Sequence, residues 1–223
     1  MIRALIFDFD GLILDTEVPD FVSWQEIYEA HNCELPFAEW AACIGTADAT
    51  FDPYTHLETQ VGAPLDRETI RSRRRARYAE LVAVECVLPG VEAVIAEARG
   101  RGLSVGLASS STREWVLGHL NRLGLHAHFD CVRCSDDVRR TKPDPELYLA
   151  AVGALGLKPE EAIAIEDSPN GVLAAKRAGL FCVAVPNRLT CGLALDRADL
   201  RLSSLAEMPL DALLQAAERR GAR

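Results

Sequence analysis

The feature that most constrains this chain is an apolar run that ends in charge: Ala4-Leu5-Ile6-Phe7 followed at once by Asp8-Phe9-Asp10-Gly11. The nearly all-apolar stretch from Ile2 to Phe9 predicts a strand buried on both faces, as in a parallel sheet. Side chains alternate along a strand, so Asp8 and Asp10 share one side while Phe7 and Phe9 take the other. Gly11 then allows a sharp backbone turn without a Cβ penalty. Two carboxylates at one strand end repel each other unless something positive sits between them. A hard divalent cation meets that need, and an all-oxygen ligand set suits magnesium. A polar turn closing a buried strand is the plainer reading of the same residues, and the rest of the chain decides between the two.

Residues 16 to 86 contain no convincing strand. Phe21, Trp24, Ile27 and Tyr28 recur at helical spacing, as do Ile70, Arg74, Arg77, Tyr78 and Leu81 in a later helix that Asp66 is placed to cap. From Leu88-Pro89-Gly90 the rhythm changes. Helices are predicted near 91–101, 112–123, 145–155, 170–178 and 210–219, and strands near 103–108, 129–134, 162–165 and 181–185. Strands alternating with helices imply an α/β fold, a Rossmann-like parallel sheet with helices on both faces. The expected division is a core domain of 1–15 and 88–223 with an α-helical cap domain, 16–87, inserted after the first strand.

Ligands of open α/β sheets bind beyond the carboxyl ends of the strands. The second strand ends in Ser109-Ser110-Ser111-Thr112 at a helix start, where hydroxyls and free N–H groups can hold a phosphate. The third is followed by Thr141-Lys142-Pro143-Asp144-Pro145, a lysine fixed by two prolines. The fourth ends in Glu166-Asp167-Ser168-Pro169-Asn170-Gly171, two more carboxylates. Each has an ordinary account as a cap or a surface charge; four on successive strand ends do not.

With these residues in hand the chain resembles the haloacid dehalogenase (HAD) superfamily, subfamily I with a helical cap, and within it the branch of β-phosphoglucomutase and sugar-phosphate phosphatases. The motifs are Asp8-Phe9-Asp10-Gly11-Leu12, Ser109, Lys142-Pro143-Asp144-Pro145 and Glu166-Asp167-Ser168-Pro169-Asn170-Gly171. The resemblance implies that Asp8 is a nucleophile forming an aspartyl-phosphate and that Asp10 is the acid and base. It further implies Mg²⁺ on the Asp8 carboxylate, the Asp10 backbone carbonyl and Asp167, with Glu166 direct or through water. Ser109, the Ser110 N–H and Lys142 would bind the phosphoryl oxygens. Gly11, Leu12, Glu17, Thr46, Arg74 and Arg113 are the candidates for contacting the rest of the substrate, with Asp20 and Trp24 near them.

Within that family the reaction narrows. Its dehalogenases lack an aspartate two residues after the nucleophile, and Asp10 is present. Its phosphonatases use a cap lysine, but the chain has only Lys142, Lys158 and Lys176, none of them in the cap. Its mutases carry a cap arginine just after a glycine turn; here that turn reads Ile44-Gly45-Thr46-Ala47-Asp48-Ala49. The expectation is a magnesium-dependent phosphatase for a small phosphorylated substrate, with β-phosphoglucomutase-type isomerisation as the alternative. A catalytically silent binding module is a third reading, against which the intact Asp8, Asp10, Lys142 and Asp167 weigh.

Composition adds exclusions. A net charge of −9 disfavours nucleic acid and anionic membranes as partners. No apolar run approaches the ~20 residues of a membrane span, so the expected location is cytoplasmic. Seven scattered cysteines are no disulfide framework, and Cys131 and Cys134 read as buried free thiols. The five histidines show no ligand spacing. A monomer is expected, with a dimer as the second option.

Overall fold

The computed structural model describes residues 1–41, 43–44 and 51–221. Its centre is β1 (Ala4–Phe7), every residue of which is buried. β1 pairs in parallel with β2 (Ser104–Ala108) on one side and β4 (Ala162–Glu166) on the other, in register Ala4 to Ser104 and to Ala162. β3 (Cys131–Arg133), β5 (Phe181–Ala184) and β6 (Leu200–Arg201) complete a six-stranded sheet in the order β3-β2-β1-β4-β5-β6. The expected parallel α/β core is present, with β6 as a strand the sequence pattern did not reveal.

Alternation along the strands builds two cores. On one face Leu5, Phe7, Val105, Leu107, Ile163 and Ile165 meet α5 (Val91–Gly100), α6 (Arg113–Arg122) and α9 (Leu210–Gly221). On the other, Ala4, Ile6, Ala162 and Ala164 meet α7 (Glu146–Ala154) and α8 (Pro169–Ala178). The small side chains on this second face let the helices approach closely.

Between β1 and α5 come α1 (Glu17–Ala30), α2 (Phe37–Ala41), α3 (Pro53–Val61) and α4 (Arg67–Ala83). They gather their own buried cluster around Trp24, Ile27, Tyr28 and Ile70, which recur at helical spacing in the sequence, together with Trp40 and Leu57. The Asp66 carboxylate accepts from the Glu68 and Thr69 amides at 3.2 Å, capping α4 as predicted. The chain leaves and re-enters the core at one place: Leu14 bridges Val87, and the Leu88 amide donates to the Ile13 carbonyl at 2.9 Å. All seven cysteines are free; Cys134 is buried as expected, whereas Cys131 is only half-buried. No helix among the described residues is long and apolar enough to cross a membrane.

Candidate active site

The carboxyl ends of β1 and β4 bring three acids together. Asp8, Glu166 and Asp167 are 6%, 0% and 1% exposed, and each offers a carboxylate oxygen within 4.8 Å of the others. Lys142, itself 1% exposed, reaches in from the segment before α7. Its ammonium pairs with Asp8 and, at 2.7 Å, with Glu166 Oε1. Glu166 is fully engaged: Tyr148 O–H donates to Oε1 at 2.6 Å, and the Asp167 amide and Ser168 hydroxyl donate to Oε2 at 3.2 and 3.4 Å. Both of its oxygens are thus hydrogen-bonded, one of them also to Lys142, and it remains part of the acid cluster.

The packing there is tight. A Cβ on Gly171 would lie 1.9 Å from Glu166 Oε2, so no side chain fits at the start of α8. Gly171→Ala is expected to destabilise the protein by about 2–3 kcal/mol through overpacking, read as a lowered urea midpoint at unchanged slope. A midpoint equal to wild type would show that the cradle yields freely.

Burial pushes the Asp8 carboxyl up to about 8; Lys142 opposes that, while Glu166 and Asp10 add to it. Burial, then Asp8 and Glu166, likewise holds Asp167 well above the ordinary range. For Lys142 burial acts downward, but the Asp8 and Glu166 carboxylates outweigh it and keep the ammonium charged. Ionising all three buried acids around one ammonium would leave uncompensated negative charge, which a divalent cation would neutralise. The donor set fits one: only one Asp8 oxygen is bonded to Lys142, and Asp167 uses Oδ2 alone, accepting from Asn187 Nδ2 at 2.8 Å.

Asp10 lies on the turn after β1, where Gly11 has φ +77°. Donors surround its carboxylate. Oδ1 accepts from the Thr16 hydroxyl at 3.0 Å and the Trp115 indole at 2.9 Å, Oδ2 from the Ser111 and Ser109 hydroxyls at 2.7 and 3.3 Å. Asp8, Asp10 and Lys142 line a cavity of about 610 Å³. Ser110 and Ser111 line it as well, and the inserted helices wall it with Glu17, Asp20 and Tyr78. The Ser110 hydroxyl is buried without a hydrogen-bond partner among the described residues. Glu17 lines the cavity; burial and the nearby Asp10 and Asp20 raise its carboxyl well above the usual value.

Several candidates lie elsewhere than the sequence reading put them. Arg113 turns away from the cavity and pairs with Asp137 at 2.6 Å, because that acid waits one strand connection later on the same edge. Leu12 is packed in the core at 2% exposure, so its side chain cannot meet a substrate. Gly11 serves the backbone: a Cβ there would lie 2.3 Å from Asp167 Oδ2. Arg74 is spent on Asp20 and on the Trp24 face, 4.9 Å away, and holds the wall rather than lining it. Ser109 aims its hydroxyl at Asp10 and accepts from the Ser111 amide at 3.0 Å. Thr46 lies outside the described residues. The sequence reading missed Thr16, Ser111, Trp115, Tyr148 and Asn187. Ser111 stands inside a quoted motif and was findable there; Thr16 lies just beyond the first motif, and Asn187 follows β5 with no local signal.

Residues 5–185 match the model of the haloacid dehalogenase-like hydrolase family. The chain is 50% identical to "Putative phosphatase YhcW" of Bacillus subtilis over 96% of this chain and 97% of that one. It is 29% identical to the β-phosphoglucomutase of the same organism, over 82% and 83%. Among solved structures, CbbY from Rhodobacter sphaeroides in complex with phosphate superposes with a TM-score of 0.70 at 29% identity, covering 93% and 96% of the two chains.

Proposed function

The chain belongs to the haloacid dehalogenase-like hydrolase family, and from that premise we propose a magnesium-dependent phosphatase that hydrolyses a small, sugar-like phosphate monoester through an aspartyl-phosphate. The observation that carries the reading is the pairing of two unlike carboxylates beside one ammonium. Asp8 is buried against Lys142 with one oxygen unengaged, while Asp10 is held in place by hydroxyl and indole donors. The unengaged Asp8 oxygen attacks phosphorus, and the bond to the leaving oxygen breaks as Asp10 delivers it a proton. A water then attacks the phosphorus of the aspartyl-phosphate, giving up a proton to Asp10 and releasing inorganic phosphate and Asp8. Lys142 and the Ser110 amide steady the phosphoryl oxygens in line. Asp8, Asp167 and the Asp10 carbonyl would hold Mg²⁺, which when bound neutralises charge developing on the phosphoryl group.

Hydrolysis is favoured over isomerisation by the charge of the cavity. A mutase must hold a second phosphate, which calls for a second cation. Lys142 is the basic side chain on the described cavity wall, and Arg74 is committed to Asp20. The segment outside the described residues here, Ala42 and Gly45 to Thr50, contains no lysine or arginine. Glu17 and Asp20 instead face the leaving-group end, where they suit hydroxyl donors. We read the protein as acting on a soluble cytoplasmic metabolite, as a monomer.

The test is phosphate release from a panel of phosphorylated metabolites with Mg²⁺ and with a chelator. Release that falls at least about a hundredfold on chelation is expected. Conversion of β-glucose 1-phosphate to glucose 6-phosphate without net phosphate release would replace this reading by the mutase. Folded, magnesium-loaded protein that turns over nothing in the panel would favour a binding module.

A further inference from the structure

One face of α6 runs from the catalytic turn to the point where the inserted helices rejoin the core. Trp115, His119 and Arg122 are spaced i, i+4 and i+7, so they form one stripe. At one end the Trp115 indole N–H donates to Asp10 Oδ1 at 2.9 Å. In the middle the Trp115 and His119 rings meet at 4.2 Å, and Arg122 Nε donates to His119 Nδ1 at 3.4 Å. At the far end the Arg122 guanidinium donates to the carbonyls of Val82, Ala83 and Glu85 at 3.3, 3.3 and 3.0 Å, the last turn of α4 and the linker after it. A second contact joins the same two helices. Tyr78 of α4 lies on the Trp115 ring, centroids 5.6 Å apart and planes 14° from parallel. Arg74 extends that stack, its guanidinium 5.8 Å from Tyr78 and 4.9 Å from Trp24. The indole that holds Asp10 is thus clamped by a residue of the inserted segment.

We propose that Trp115 is a positioning residue for Asp10, and that Tyr78 holds Trp115 in place, so that the acid–base carboxylate is fixed while α4 lies against α6. The proposal rests on the phosphatase reading for its kinetic consequence but not for its structural one. Ser109 and Ser111 can hold the Asp10 carboxylate from the core alone, while Thr16 does so from the start of the inserted segment, as the residue that precedes α1. The indole is the donor among them that is stacked against α4, through Tyr78. Moving α4 away would remove Tyr78 from one face of the indole and pull on Arg122, loosening Asp10 without touching Asp8 or Lys142. An apolar ring stacked over the pair also thins the water around that bond, which strengthens it.

Two measurements test this. The first compares kcat/KM for an alkyl phosphate, whose leaving oxygen needs a proton, with that for p-nitrophenyl phosphate, whose leaving group needs little help. Trp115→Phe keeps the ring and deletes the N–H. It is expected to lower the alkyl value by roughly tenfold to a hundredfold and the p-nitrophenyl value by less than about threefold. Tyr78→Ala should show the same selectivity to a smaller degree; should Trp115→Phe fail to fold, it carries the comparison alone. An equal fall on both substrates, which general damage to the site would give, or no fall on either, overturns the proposal. The second measurement needs no turnover. The indole N–H resonance of Trp115, identified by its absence in Trp115→Phe, is expected to move upfield in Tyr78→Ala and to return in Tyr78→Phe. An unmoved resonance overturns the role of Tyr78. Absence of turnover by wild type on both phosphates would instead sink the phosphatase reading, leaving this second test to decide the inference.

Discussion

Asp8→Asn is expected to lower turnover by roughly three to six orders of magnitude while leaving the metal-free protein at least as stable as wild type. On the proposed reading, the catalytic half follows from removing the carboxylate oxygen that sits beside Lys142 and the other two acids of the cluster. The stability half runs opposite to intuition for a buried ion-pair partner. Asp8 shares one ammonium with Glu166 and lies against Asp167, so taking away one of the acids relieves repulsion and still leaves Lys142 paired. The pH dependence carries the sign. With its folded value pushed from 3.8 to about 8 by burial, Asp8 is favoured in its protonated form. Stability that it permits below pH ~4 is lost as the pH rises toward 8. Asparagine cannot ionise, so thermal unfolding in a chelator should show wild type declining more steeply than the variant between about pH 4 and 8. Magnesium should reverse the ranking, since it stabilises the protein that binds it more tightly. A variant less stable than wild type without metal at every pH would show that the acids are not in excess.

Lys142→Met should do the converse. The side chain is nearly isosteric and apolar, so packing is kept and the charge alone is lost. Three buried carboxylates would then have no ammonium among them. Breaking a buried pair from one side typically costs about 3–5 kcal/mol. That loss should be fullest near pH 8 and shrink as the pH falls and the acids take up protons. Turnover should drop on the order of a hundredfold to a thousandfold, the usual effect of removing one donor from a developing oxyanion. Urea unfolding at two pH values checks the first claim and steady-state kinetics the second. A stability change under about 1 kcal/mol at pH 8, with turnover kept, would mean that Lys142 is not the counter-charge of this site.

The fold was legible wherever local pattern and tertiary environment agree. β1, β2, β4 and β5 are buried on both sides, and their apolar runs say so directly. β6 is two residues long and sits at an edge, too short for any period to declare itself. The clustered acids were legible because they are concentrated in short motifs at strand ends. The arginines were not, since a guanidinium's destination depends on an acid that sequence distance hides. Arg74 finds Asp20 on α1, and Arg113 finds Asp137 beyond β3. Trp115 reads as an ordinary helix residue until the turn after β1 is folded beneath it.

The place of β1 at the middle of the sheet has a bearing on how the protein is made. The strand that leads into Asp8 precedes its partners by most of a hundred residues or more, since these are Ser104 to Leu107 and Ala162 to Ile165. The inserted helices can close their own cluster from nearby residues, whereas the central strand must wait for most of the chain, and such distant pairing is slow. A nascent chain therefore carries an unpaired apolar strand through much of its synthesis, the stage at which aggregation competes with folding. Assembly of the acid cluster waits for the end of β4, where Glu166 and Asp167 arrive. Incomplete chains released before that point have Asp8 but not the cluster around it.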